Sequence, residues 1–345
     1  MQRIRSIDFV RGLVMVIMAL DHVREFMHIN SLTQSPTDLA TTTPALFFTR
    51  WVTHICAPTF VFLAGASAAI SGAKPLFLLK RGLWLILLEF TVVTFGLWMD
   101  IRFRTLIFEV IGTIGAGFIG LAILGRLPPK ILGALGLLII FGHNLFPPDV
   151  RMATLPSQRL FTLAYPPIPW FGIMLCGYAS KNLFTRQRLL LFLGMGAIAL
   201  FILIRVINIY GDPAPWEHGL LSFLNVTKYP PSLEFTLVTL GIGLLLLSIK
   251  IKKDNAFMVY GRVPLFYFII HIYLIHLIMF GMVFLQGYHL KDLEFGVMKN
   301  GRPPGTGVSL PWVYVVWICV VLALYPVCLA YGRYKADHKG WTRYL

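Results

Sequence analysis

The fold is decided by a stretch near the start of the chain, Arg5-Ser-Ile-Asp8-Phe-Val-Arg11-Gly12, and by the apolar run that follows it to Asp21-His22-Val-Arg24-Glu25-Phe-Met-His28. The run is as long as the roughly 20 residues that a helix needs to cross a bilayer. A charge near the bilayer centre costs roughly 2.5 to 3.5 kcal/mol on insertion scales, so charged side chains in such a helix normally face a protein interior or a wet cavity. We therefore predict a membrane helix that forms one wall of a polar site.

Composition places the chain among membrane proteins. Hydrophobic residues make up 57% of the 345 residues, charged residues only 13%, and the mean hydropathy is +0.75. This leaves too little polar surface to cover a soluble globule of this size. The net charge is +15, and the Lys and Arg residues occur in short clusters between apolar runs. Such clusters are typical of residues that set membrane topology, so we do not expect nucleic acid as a partner.

Ten apolar segments are each long enough to cross a hydrocarbon core of about 30 Å. They are residues 9–28, 46–71, 76–99, 106–124, 130–147, 167–184, 188–208, 231–250, 258–286 and 309–332. Lys and Arg are concentrated in the short links, so we predict that these links and both termini are cytoplasmic. The long links, 29–45, 148–166, 209–230 and 287–308, are then extracytoplasmic. The expected fold is an all-α, polytopic integral membrane helix bundle of about 10 transmembrane helices, with residues 1–345 as one domain in the cell (inner) membrane.

Polar side chains inside these segments lie at similar depths when depth is counted at about 1.5 Å per residue. The outer half of the bundle is expected to hold Asp21, His54, Glu89, Glu109 and His271, and the inner half chiefly Asp8, Arg11 and Arg262. We predict a polar cavity open to the outside and reached from the cytoplasm through a mostly apolar stretch. Glu89 stands alone in an apolar run, so we expect Arg11, Arg50 or a histidine as its buried partner.

Two local patterns bear on the shape of this cavity. Asp21 and His22 are adjacent on a helix, and adjacent helical residues do not face each other, so we expect them to have different partners. Pro58 has no N–H and frees a carbonyl near His54, which predicts a bend in the second segment. The histidines and cysteines show no metal-ligand spacing, so no metal is expected, and the four cysteines are expected to be free thiols.

Several motifs occur in an order that resembles a known family. After the opening stretch come Asp21-His22, then His54-Ile-Cys-Ala-Pro58-x-Phe60-Val-Phe62-Leu-Ala-Gly65-Ala-Ser67, and late in the chain Tyr260-Gly-Arg262-Val-Pro264-Leu-Phe-Tyr-Phe-x-x-His271. Together they resemble the heparan-alpha-glucosaminide N-acetyltransferase catalytic family, whose bacterial branch has long been a domain of unknown function. The resemblance implies a transmembrane acyltransferase. Such an enzyme takes the acyl group of cytoplasmic acyl-CoA, typically acetyl-CoA, and delivers it to an amine or hydroxyl of a sugar or glycan on the other side.

The resemblance also implies roles for particular residues. In the family, a histidine near the outer end of the first helix is the proposed catalytic residue, with an Asn nearby. His22 stands where the Asn is expected and His28 is the nearest match for the histidine, so the base is left open between His22, His28 and His54. From the chemistry of acyl transfer we expect a carboxylate, Asp21 or Glu89, to orient the base. We expect the acceptor to be bound by Arg50, Glu89, Glu109 and His271, and acyl-CoA by Asp8, Arg11, Arg81 and Arg262.

Two functions compete at this point. Acyl transfer needs a base and an oxyanion donor, and the chain shows no serine nucleophile elbow and no cysteine beside a base, which favours direct transfer over an acyl-enzyme. A proton-coupled transporter is the alternative, because carboxylates and histidines on several helices also form proton relays. The transporter is disfavoured because no repeat with matching Gly- or Pro-broken helices is found. The expected partners are acyl-CoA, the glycan acceptor and the lipid bilayer, with a homodimer left open.

Overall fold

Helices make up most of the chain in a computed structural model that describes residues 4–146, 152–155, 159–338 and 340–344. The helices are α1 (Arg5–Met27), α2 (Pro44–Thr53), α3 (Cys56–Ser71), α4 (Pro75–Leu88), α5 (Thr94–Trp98), α6 (Val110–Leu124), α7 (Pro129–Gly142), α8 (Pro167–Ala179), α9 (Gln187–Ile207), α10 (Gly219–Leu224), α11 (Leu233–Leu247), α12 (Ala256–Arg262), α13 (Pro264–Leu285) and α14 (Leu310–Asp337). A π-helical turn, Glu89–Val93, joins α4 to α5. The strands are β1 (Thr105–Phe108), β2 (Met152–Thr154), β3 (Leu160–Leu163), β4 (Glu294–Gly296) and β5 (Lys299–Gly301).

Each of the ten apolar segments contains a helix. By length and composition, four helical stretches among the described residues could cross a membrane: Pro44–Ser71, Gln187–Ile207, Pro264–Leu285 and Leu310–Asp337. The apolar helices α6, α8 and α11 are shorter. The fold is therefore a mostly helical one with membrane-compatible helices, while ten crossings and cytoplasmic termini remain predictions. Part of the predicted link 148–166 lies outside the described residues.

The segment predicted as a helix over 106–124 begins instead with a strand. β1 pairs in parallel with β3, from Thr105 opposite Leu160 to Phe108 opposite Leu163, and β2 pairs with the other edge of β3. The run Thr-Leu-Ile-Phe contains β-branched and aromatic residues that favour a strand when a neighbouring strand is present. Glu109 consequently precedes α6 as its N-cap residue and does not lie inside a helix.

The second segment is interrupted close to the position of the predicted bend. α2 ends at Thr53 and α3 begins at Cys56, so the helical stretch is interrupted at His54 and Ile55. Pro58 lies in the first turn of α3, where its missing N–H leaves the carbonyl four residues earlier without its usual helical partner. The interruption places His54 at the joint between two helices.

The motifs at the start of α1 and the end of α12 build a close helix crossing. A Cβ added to Gly12 would lie 1.8 Å from the Phe257 carbonyl oxygen, and one added to Gly261 would lie 1.9 Å from the Asp8 carbonyl oxygen. Only glycine allows the two backbones to approach so closely. The crossing brings Arg11, next to Gly12, close enough to donate to the Gly261 carbonyl oxygen at 3.4 Å.

Candidate active site

Two cavities lie along α1, one toward each end of the helix. The inner cavity, near the start of α1, has a volume of about 290 Å³ and is lined by apolar side chains together with Arg11, Ser67, Arg81, Arg262 and Lys335. The outer cavity, near the end of α1, has a volume of about 710 Å³, and its polar lining includes Asp21, His22, Arg24, Glu25, Arg50, His54, Glu109 and Lys228. The sequence predicted a polar cavity and a mostly apolar approach to it, and the structure has a cavity at each of these two places.

The inner cavity combines apolar walls with basic groups. Arg11 donates from Nη2 to Ser67 Oγ at 2.7 Å, and the Arg81 guanidinium lies 5.6 Å from the centre of the Phe118 ring. Arg262 donates from Nη2 to Asp254, and this hydrogen bond lowers the pKa of the Asp254 carboxyl. A cavity of this kind can hold a long molecule with an apolar arm and anionic groups.

The outer cavity is organised around a buried carboxylate. Asp21 accepts a hydrogen bond from Arg24 Nη2 at 2.9 Å and another from Arg50 Nη1. Arg50 also donates from Nη2 to the Tyr229 hydroxyl at 3.5 Å. Two guanidiniums thus surround one carboxylate, which keeps a positive charge in the wall of the cavity. Asp21 holds these arginines and makes no hydrogen bond to a histidine among the described residues.

His22 has a different partner from Asp21, as its position on the helix predicts. His22 Nδ1 lies 2.8 Å from His271 Nε2, and the two rings are nearly parallel at 9°. His271 Nδ1 lies 2.9 Å from the Tyr267 carbonyl oxygen. A carbonyl can only accept, so His271 carries its proton on Nδ1 and, when neutral, accepts on Nε2. His22 must then carry its own proton on Nδ1, which leaves Nε2 of a neutral His22 unprotonated.

Nε2 of His22 is placed to accept a proton. Among the described residues no hydrogen-bond partner is found for His22 Nε2, and His22 lines the outer cavity. An unprotonated, unpaired imidazole nitrogen beside a cavity can accept a proton from a bound molecule. The other lining histidine, His54, packs its ring 5.3 Å from that of Phe235, and its buried Nδ1 has no hydrogen-bond partner.

Aromatic rings and charged groups share the far wall of the outer cavity. Lys228 Nζ lies 5.0 Å from the centre of the Tyr229 ring and 5.9 Å from that of Tyr165. Glu109, Tyr165, Lys228 and Tyr229 all line the cavity. Amphipathic rings next to charged groups can pack against and hydrogen-bond to a polar ring such as a sugar.

A segment built mostly of turns, residues 29–43, follows α1, and we call it the strap. Residues 31–37 line the cavity. Arg302 holds the start of the strap: its Nη1 donates to the carbonyl oxygens of Phe26 at 2.8 Å and His28 at 3.1 Å, and to Ser31 Oγ at 3.1 Å. Asn225 holds its other half by donating to the Thr37 carbonyl oxygen at 3.0 Å.

Four of the predicted site residues line neither cavity: Asp8, His28, Glu89 and His271. His271 lies behind His22, and His28 lies at the joint between α1 and the strap. Asp8 forms an ion pair with Arg11 at 3.8 Å. The prediction that an arginine or histidine pairs with Glu89 is wrong. Its carboxylate instead accepts the backbone N–H of Gly112 in the first turn of α6, a position that favours negative charge.

Sequence reasoning assigned no site role to several residues that line the cavities: Glu25, Ser67, Tyr165, Lys228, Tyr229 and Lys335. Ser67 belongs to a run of small residues that favours close helix packing, and Lys228 lies in the long link 209–230, outside the predicted membrane segments. The signal that could have found Lys228 is its place among Tyr and Pro residues in a long ordered link, since such links often serve a site.

The comparison with protein families rests on about the first three fifths of the chain. The family model described as heparan-alpha-glucosaminide N-acetyltransferase, catalytic, matches residues 3–214. The match contains α1, α2 and α3 and with them the outer-cavity residues from Asp21 to His54, whereas the late motif Tyr260–His271 lies beyond it. No curated protein matches the chain. Because the family model covers more than half of the residues, the chain belongs to the heparan-alpha-glucosaminide N-acetyltransferase catalytic family.

Proposed function

We propose that this protein is an acyltransferase of the cell inner membrane. It moves an acetyl group, or another short acyl group, from acyl-CoA held at the inner cavity to an amine or hydroxyl of a sugar or glycan in the outer cavity. Membership of an N-acetyltransferase catalytic family supports the reaction class. The two cavities, at opposite ends of α1, support separate sites for donor and acceptor. The predicted topology assigns the donor to the cytoplasmic side.

The donor fits the chemistry of the inner cavity. Its basic side chains can hold the phosphates of CoA through charge-assisted hydrogen bonds, and its apolar walls can pack against the pantetheine arm. Arg11, Arg81, Arg262 and Lys335 are the side chains that fill the first role. Asp8 acts through Arg11, its ion-pair partner, and does not contact the donor itself.

His22 is the proposed general base, and the hydrogen bond from His22 to His271 is the observation that carries this assignment. The acceptor amine or hydroxyl gives its proton to His22 Nε2 as its nitrogen or oxygen bonds to the thioester carbonyl carbon. The C–S bond then breaks, and the CoA thiolate takes this proton from His22 to leave as free CoA, which restores the neutral imidazole. The cluster of Asp21 with Arg24 and Arg50 keeps positive charge near the oxyanion that forms in between.

The test compares binding with transfer in the purified protein. Calorimetry would measure acetyl-CoA binding, and labelled acetyl-CoA with an amino-sugar acceptor would measure transfer in vesicles. We expect His22→Ala to keep acetyl-CoA binding and to lower kcat by about 10²- to 10⁴-fold, the usual contribution of a general base. His28→Ala is the control, since His28 lines neither cavity, and it should keep most of the activity.

Other results would contradict the proposal in separate ways. A parent protein that binds no acyl-CoA would overturn the enzyme and favour the proton-coupled transporter. Full activity in His22→Ala with loss in His54→Ala would move the base to His54. An acetylated histidine trapped with acetyl-CoA alone would replace direct transfer with a two-step mechanism.

A further inference from the structure

The two cavities meet at four side chains that line both of them: Met18, Phe60, Val110 and Phe268. They come from four different helices, α1, α3, α6 and α13, so they approach the junction from several sides. All four are apolar, and three are buried, with Met18 7%, Val110 9% and Phe268 4% exposed. We call this set the collar.

The collar lies next to the proposed base. The Phe268 ring is 6.2 Å from the His22 ring and meets it at 73°, and the same ring is 5.7 Å from His271. Met18 precedes His22 by four residues, which places both on the same face of α1. An acyl group that travels from the inner cavity to His22 therefore passes the collar.

We propose that the collar makes the enzyme selective for uncharged acyl groups and that it rejects acyl-CoA donors whose acyl chain ends in a carboxylate, such as succinyl-CoA. This inference rests on the proposed acyl transfer. A carboxylate that enters the collar leaves water and finds no hydrogen-bond donor, because the four side chains contain only carbon, hydrogen and a thioether sulfur. Burial of a charge without a partner is far more costly than burial of a methyl group.

The cavities on either side would not impose this selection. The inner cavity offers Arg11 and Arg81, and the outer cavity offers Arg50 and Lys228, all of which suit an anion. A succinyl donor should therefore bind at the inner cavity about as well as an acetyl donor and fail at the transfer step. Selection at the collar therefore changes the rate of transfer, whereas selection by the inner cavity would change the affinity for the donor.

The experiment measures kcat/KM for acetyl-CoA and succinyl-CoA with the same acceptor, together with competition between the two donors for binding. For the parent protein we expect a preference for acetyl transfer on the order of 100-fold or more, since an unpaired buried carboxylate costs several kcal/mol. Succinyl-CoA should still displace acetyl-CoA. Met18→Gln places a hydrogen-bond donor in the collar and should raise the ratio of succinyl to acetyl transfer at least about tenfold.

Met15→Gln is the matched control, because Met15 lies one turn earlier on α1 and lines the inner cavity alone. Its transfer ratio should stay at the parental value. Equal transfer of both acyl groups by the parent would overturn the inference even if neither variant folds. An equal rise in Met15→Gln would overturn it as well, since selection would then act along the whole inner cavity. Absence of transfer from every acyl-CoA is a different result and marks the failure of the proposed function.

Discussion

His271 illustrates how a buried residue can act through another. It makes no contact with either cavity, yet its bonds to the Tyr267 carbonyl and to His22 determine which nitrogen of His22 carries a proton. The sequence suggested that His271 binds the acceptor. The structure favours a positioning role, which resembles the carboxylate that orients histidine in hydrolase triads.

The first prediction separates this positioning role from packing. His271→Phe keeps a ring of similar shape but removes the acceptor, so neutral His22 can place its proton on Nε2. We expect kcat to fall roughly 10- to 100-fold, as for other residues that orient a reactive group, with little change in the KM for acetyl-CoA. His271→Gln restores an acceptor for His22 and should recover part of the loss. Equal losses in both variants would reduce His271 to a packing residue.

A second prediction concerns Arg302, which holds the strap. Its side chain is 3% exposed and burial lowers its pKa to about 10, so it stays charged at neutral pH. Arg302→Met leaves the carbonyl oxygens of Phe26 and His28 without this donor and should lower the free energy of unfolding by about 1 to 3 kcal/mol. Thermal unfolding in detergent measures the effect. Lys299→Met is the control in the same loop, because Lys299 pairs with Glu294 at an exposed site where ion pairs contribute little.

Among single residues, the sequence identified those whose partners are set by local spacing. The different partners of Asp21 and His22 follow from their adjacent positions on a helix. The partner of Glu89 could not be found in this way, because it is a backbone N–H of a helix 23 positions later. Any search restricted to charged side chains misses such a partner.

At the level of elements, the crossing of α1 and α12 depends on two glycines. Our third prediction is that Gly12→Ala forces these helices apart, since the added Cβ would overlap the Phe257 carbonyl. We expect a loss of about 1 to 3 kcal/mol in the free energy of unfolding, with weaker acetyl-CoA binding because Arg11 moves with the backbone. Gly196→Ala in α9 is the control. A Cβ there meets nothing within 4 Å, and alanine favours the helix, so stability should be kept or raised.

The two irregular elements of the bundle differ in how far the sequence could predict them. The interruption between α2 and α3 follows from Pro58, because a missing N–H is a local property. The strand β1 could not be foreseen, since its partner β3 begins more than 50 positions later and neither strand has a recognisable register signal. Its apolar residues read equally well as the first turn of a helix.

At the scale of the whole molecule, the predicted orientation gives the fourth prediction. In a variant whose four cysteines are replaced by alanine, Ala40→Cys in the strap should react with a membrane-impermeant maleimide added to intact cells. Lys253→Cys, in the link between α11 and α12, should react only after the membrane is opened. Both positions are exposed, so access to the reagent is set by the membrane. The reverse labelling pattern would exchange the sides assigned to donor and acceptor.

The sequence predicted the helical bundle and the polar wall of α1, but it could not show which polar side chains share a cavity. Sequence position gives only the depth of a residue along its helix, which is one of its three coordinates. By depth alone, Asp21, His54 and Glu89 were predicted to lie together. Two of these line the outer cavity and the third does not. The collar was also invisible, because Met18, Phe60 and Phe268 look like ordinary core residues until four helices bring them to one place.

The bond between His22 and His271 joins positions 249 residues apart in the chain. A ribosome delivers the amino-terminal helices first, so α1 with its histidine is made long before α13. Until then His22 has no partner to fix its proton, and the collar lacks Phe268. On the proposed mechanism, a nascent or truncated chain that holds only residues 3–214 would match the family model without a positioned base. We therefore expect acyl transfer to begin only when synthesis of the chain is nearly complete.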